Sequence, residues 1–115
     1  IERFFGINGN PATSVKRMFI SSLPWSPLFP SLSTASAYQA DTTAVNTIQS
    51  GLPAWFDATY PALAGRLKYV DMLTYFGGFQ APASLFASAD ASNPSPAGQY
   101  TMGNGWASGA LQLLR

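Results

Sequence analysis

The run MFISSLPWSPLFPSLSTASAYQA, Met18 to Ala40, carries no charged side chain. It is long enough to cross a bilayer, which takes about 20 apolar residues. Pro24, Pro27 and Pro30 lie inside it. Proline at every third position removes amide donors and clashes with the preceding helical turn. A membrane span must satisfy its backbone internally, and this run cannot do so as a helix. The segment therefore reads as an extended apolar strap over residues 18–40, and the chain as having no transmembrane helix of its own.

Working outward, Asn10-Pro11 has the form of a helix start, with Asn as cap and Pro at the first helical position. Val15, Met18 and Phe19 would then share one face. Asp41 caps a second short candidate through Ala44, Val45 and Ile48, closed by Gly51. Leu52-Pro53-Ala54-Trp55-Phe56 suggests a helical turn. The main helix is expected over residues 61–76, because Leu63, Leu67, Val70 and Leu73 recur at three-and-four spacing. Gly77-Gly78 ends it. Ala83 to Ala89 suits one or two helical turns, residues 92–105 are rich in turn formers, and Trp106 to Leu114 again has helical character. The expected fold is mostly α with extensive irregular structure: short helices joined by long apolar Pro/Gly-rich straps, no regular sheet, and a single interaction domain over residues 1–115.

Composition narrows the function. Charged residues are 10% of the 115-residue chain, with six basic and five acidic groups, against about 25% in an ordinary soluble domain. The basic residues Arg3, Lys16, Arg17, Arg66, Lys68 and Arg115 are scattered along the sequence, whereas nucleic-acid binders gather them into a stripe. Nucleic acid is not an expected partner. Histidine and cysteine are absent, which removes Ser-His-Asp and Cys-His catalysis, thiolate zinc sites and disulfides. The chain begins at Ile1 rather than Met, as expected of a processed or trimmed polypeptide.

The carboxylates Glu2, Asp41, Asp57, Asp71 and Asp90 are the remaining acid–base groups. Asp41-Thr42-Thr43 lacks the glycine of an aspartic-protease loop, and Asp41 reads as a helix cap. Asp57 and Asp71 read as solvated, or paired with Arg66 and Lys68. Gly103-Asn104-Gly105-Trp106-Ala107-Ser108-Gly109 is glycine-rich, but a dinucleotide site needs a preceding strand and a longer βαβ unit. Pro24, Pro27 and Pro30 could form a polyproline II ligand; the apolar residues between them favour a buried strap.

No catalytic or metal residues are therefore expected. Aromatics are 14% of the chain, and the expected partner-binding residues are Trp25, Leu28, Phe29, Trp55, Phe56, Tyr75, Phe76, Phe79 and Trp106. The expectation is a non-catalytic accessory or scaffold subunit docked on the protein subunits of a larger assembly. A membrane complex such as a photosystem–antenna supercomplex, at the thylakoid, fits a low-charge chain without a span; chlorophyll, carotenoid or lipid contacts would then follow. The alternatives are a self-assembling virion coat or extracellular filament, and a fragment of a larger secreted hydrolase.

Overall fold

Leu67–Val70, the centre of the expected main helix, is instead a β-strand, β2, in the computed structural model, which describes residues 1–7, 16–26, 35–87 and 90–114. Gly65 takes φ +77°, a left-handed conformation that side-chain-bearing residues avoid, and it turns the chain after the short 3-10 turn Pro61–Leu63. The next four residues include Tyr69 and Val70, which suit a pleated strand. Their partner is Met18–Ser21, β1. The two strands pair in parallel, Met18 opposite Leu67 and Ser21 opposite Val70. Three-and-four spacing described the apolar residues correctly, but local pattern could not show a strand partner so far away in the chain.

Helices dominate the described residues. The short α1, Glu2–Phe5, ends at Gly6 with φ 67°. The long α2, Ala35–Thr59, runs for 25 residues through both Gly51 and Pro53. Gly51 therefore does not stop the helix, and the separate turn expected at Leu52–Phe56 is its last third. A third helix, α3, spans Met72–Tyr75 and is capped by the Asp71 side chain. Gly77 and Gly78 both take positive φ just after it. Leu85 leads from a 3-10 turn into β3, Phe86–Ala87, which pairs antiparallel with β4, Asp90–Pro94. Finally α4 spans Pro96–Leu114.

Three further expectations change. Two two-stranded sheets exist where no sheet was expected. The strap over residues 18–40 is a strand at its start and helix from Ala35, and Pro27, Leu28, Phe29 and Pro30 lie outside the described residues. The helix start at Asn10-Pro11 and Val15 also lies outside them, while Met18 and Phe19 are strand residues. The turn-rich stretch 92–105 is the end of β4 and the first half of α4. Pro96 opens that helix at the position where proline costs no hydrogen bond.

Three of the four glycines of α4 serve contact rather than turning. A Cβ at Gly98 would lie 1.9 Å from the Leu85 carbonyl oxygen, at Gly105 2.8 Å from the Met72 sulfur, and at Gly109 2.7 Å from Val70. These three positions share one helical face. Along it α4 approaches β2, α3 and the turn before β3. The core there comprises Val70, Met72, Phe76, Ala81 and Phe86, with Phe19, Leu85, Met102 and Trp106 packed against it. A second buried centre is Phe56, fully enclosed, with the Phe5 and Tyr60 rings each 5.2 Å away.

Among the described residues no helix is long and apolar enough to cross a membrane. The radius of gyration is 16.2 Å, against about 13 Å for a compact domain of this length.

Two glycine substitutions separate these roles. Gly98→Ala must displace backbone and is expected to cost about 2–3 kcal/mol. Gly103→Ala meets nothing within 4 Å and is expected to stabilise α4 by about 0.5–1 kcal/mol. Urea unfolding curves of the two variants check both signs.

Candidate functional site

The carboxyl ends of the two parallel strands bring polar side chains together, and in open α/β sheets this is where ligand sites form. β1 runs out at Ser22 and β2 at Asp71. The Ser22 amide donates to the Val70 carbonyl, 3.1 Å, extending the ladder one step beyond the strands. The Ser22 side chain is buried. Its hydroxyl donates to Asp71 Oδ1, 3.0 Å, and accepts from the Leu73 amide, 2.7 Å. Asp71 also accepts from the Thr74 amide, 3.3 Å, and from the Thr74 hydroxyl, 2.6 Å.

Asn46 reaches this end from the middle of α2. Its carboxamide accepts from the Leu23 amide, 2.7 Å, and donates to the Leu23 carbonyl, 3.1 Å. It thereby supplies the exit of β1 with both backbone partners that another strand would provide. A shallow cleft of about 380 Å³ lies alongside, lined by Thr43, Asn46, Tyr69, Asp71 and Phe79 among others.

The hydrogen bonds of this cluster hold the chain segments that meet at the strand ends. Ser22 has both its donor and acceptor functions engaged, and no histidine exists in the chain to act as a base. Burial pushes the Asp71 carboxyl upward, but hydrogen bonds from the Thr74 hydroxyl, the Thr74 amide and the Ser22 hydroxyl outweigh it, so the pKa falls below its ordinary value. An ionised Asp71 caps α3 and holds the ends of β1 and β2 in register. Asp57 accepts from the Gly65 amide, 2.9 Å, fixing the turn into β2. Among the described residues no group of three or more His, Cys, Asp or Glu could hold a metal ion.

The nine expected partner-binding residues divide by location. Phe56 and Phe76 are sealed in the two cores, with Phe76 5.5 Å from the Phe86 ring. Trp25 is buried too, edge-on to half-buried Phe79 at 5.6 Å. Trp106 is half-buried against the α4 core. Trp55 and Tyr75 are exposed. Leu28 and Phe29 lie outside the described residues. The chain's own packing thus accounts for much of the aromatic surface once read as partner-facing.

Sequence reasoning missed the exposed surface of α2. The buried or half-buried positions of this helix include Thr42, Asn46, Gln49, Pro53 and Phe56, so its inward stripe is largely polar over the first half. The Gln49 side-chain oxygen is buried with no hydrogen-bond partner among the described residues. Val45, Ile48 and Trp55 point outward, Ile48 at 67% exposure. With half-buried Leu52 they follow three-and-four spacing along the opposite stripe. The grouping of Ala44, Val45 and Ile48 was visible in the sequence; its continuation past Gly51 to Leu52 and Trp55, and which side faced the core, were not.

No family model, curated protein or solved structure matches this chain.

The Asp71 shift fixes a pH dependence. A carboxylate whose folded pKa is depressed contributes stability that is complete above its unfolded pKa, near 3.8, and is lost as pH falls through the lower folded value. Asp71→Asn is expected to flatten the acid limb of stability below about pH 4. Acid titration of the far-ultraviolet circular dichroism compares the two proteins.

Proposed function

We propose that this chain is a non-catalytic structural unit whose βαβ element and outward apolar helix face dock on a larger polypeptide assembly. The observation that carries this reading is the two-stranded parallel sheet, which has no third strand among the described residues. Parallel sheets occur almost only with several strands and with both faces covered. A parallel pair without further strands among the described residues invites another strand.

β1 is the edge that receives it. The amides of Met18 and Ser22 donate toward β2, so by strand alternation the amides and carbonyls of Phe19 and Ser21 point to the outer edge. Met18, Phe19 and Ile20 make β1 apolar on both faces, the pattern of an interior parallel strand. β2 carries Lys68, a charge typical of a protected outer edge. The exposed Val45, Ile48 and Trp55 of α2 add an apolar surface for the same neighbour.

Of the readings weighed from the sequence, a fragment of a larger secreted hydrolase suits this docking best. Ser22, Asn46 and Asp71 gather at the carboxyl ends of the strands, where open α/β sheets bind ligand, while a histidine base would have to come from outside this chain. The chain then supplies strands and a wall of the cleft. A pigment- or lipid-bearing membrane complex would use the same α2 face, and a coat or filament would pair β1 with a second copy.

Hydrogen exchange on the isolated chain is the direct test. Rapid exchange at Phe19 and Ser21, together with strong binding of an apolar dye, is expected. A monodisperse, cooperatively melting monomer with both amides protected would overturn the docking reading. Esterase activity in the isolated chain that disappears in Asp71→Asn would overturn its non-catalytic part.

A further inference from the structure

Four of the six basic residues, separated in sequence, meet at the amino ends of β1 and β2. Lys16 and Arg17 immediately precede β1, and the Met18 amide donates to the Arg66 carbonyl, 2.8 Å, which sets Arg66 beside them. Lys68 follows on β2, its Nζ 3.8 Å from where a Cβ would stand at Gly65. Lys16, Arg17 and Arg66 line one open cleft of about 520 Å³, with Phe19 and Leu114 forming its apolar wall.

One carboxylate, Asp57, stands at this cleft, whose lining includes Gly65, and the four cations outnumber it. Asp57 accepts from the Gly65 amide, Glu2 accepts from the Tyr60 hydroxyl, and Asp71 caps α3 at the far end of the strands. Among the described residues no ion pair neutralises these four cations. Like charges drawn to one rim repel, and a bound anion relieves that repulsion. Two guanidinium groups match the oxygens of a tetrahedral oxyanion in a forked, charge-assisted geometry.

We infer that this cleft binds a tetrahedral oxyanion carried on a small apolar group, a phosphate or sulfate monoester. Lys16, Arg17 and Arg66 take the anion, and Phe19 and Leu114 cover the organic part. The site lies at the opposite end of the strands from Ser22 and Asp71; it shares Phe19 with the β1 edge, but its anion contacts belong to Lys16, Arg17 and Arg66.

Titration calorimetry of the full 115-residue chain with phenyl phosphate, phenyl sulfate, inorganic phosphate and inorganic sulfate, at constant ionic strength, tests the inference. Saturable binding is expected, with each phenyl ester tighter than its inorganic counterpart. Affinity is expected to fall at least about tenfold in Arg17→Gln/Arg66→Gln. Lys16→Gln, at an exposed position outside any helix or strand, provides a second variant if the double variant does not fold, and its affinity should also fall. No saturable binding, equal affinity for ester and inorganic anion, or affinity unchanged in a folded variant would each overturn the assignment.

Discussion

The parallel pairing of Met18–Ser21 with Leu67–Val70 organises the rest of the molecule. It joins segments about half the chain apart and requires the intervening polypeptide to cross over the sheet. That crossover is α2, which packs on β2, and α4 closes on β2 through its glycine face. Hydrogen bonds beyond each strand end, from Met18 to Arg66 and from Ser22 to Val70, lengthen the ladder by a step in each direction. One pairing thereby places a cationic cleft at one end and a hydroxyl–carboxylate cluster at the other.

Packing is unevenly distributed around that pair. The side toward α3 and α4 has a continuous core from Val70 to Phe86, tightened by three glycines that let backbone approach side chains closely. The α2 side relies on Phe56 at one end and on the Asn46–Leu23 hydrogen bonds at the other. Between them, polar side chains face inward and Val45 and Ile48 face outward. A helix with this distribution gains little from burying its inner stripe alone.

Much of this was legible from residue types, and the rest depended on contacts distant in sequence. The helical character of Ala44 to Ile48 and Trp106 to Leu114, the stop at Gly77-Gly78, and the lack of a membrane-crossing helix among the described residues followed from local chemistry. The strand at Leu67–Val70 did not, because four residues of LKYV satisfy helix spacing and strand propensity alike, and only Met18–Ser21 decides between them. Gly98 and Gly105 read as turns until their neighbours were known. Phe56 and Phe76 read as docking rings because burial is a tertiary property. The cationic cleft was hidden for the same reason: Lys16 and Arg66 are neighbours only through the sheet.

The long span between the paired strands also shapes how the polypeptide reaches its native state. Ser22 and its partner Asp71 are 49 positions apart. At about 5–20 residues per second, ribosomal synthesis leaves β1 waiting roughly 2–10 seconds for β2 to be made. During that interval an uncharged Met-Phe-Ile strand has no sheet partner within the nascent chain, a hazard for premature association.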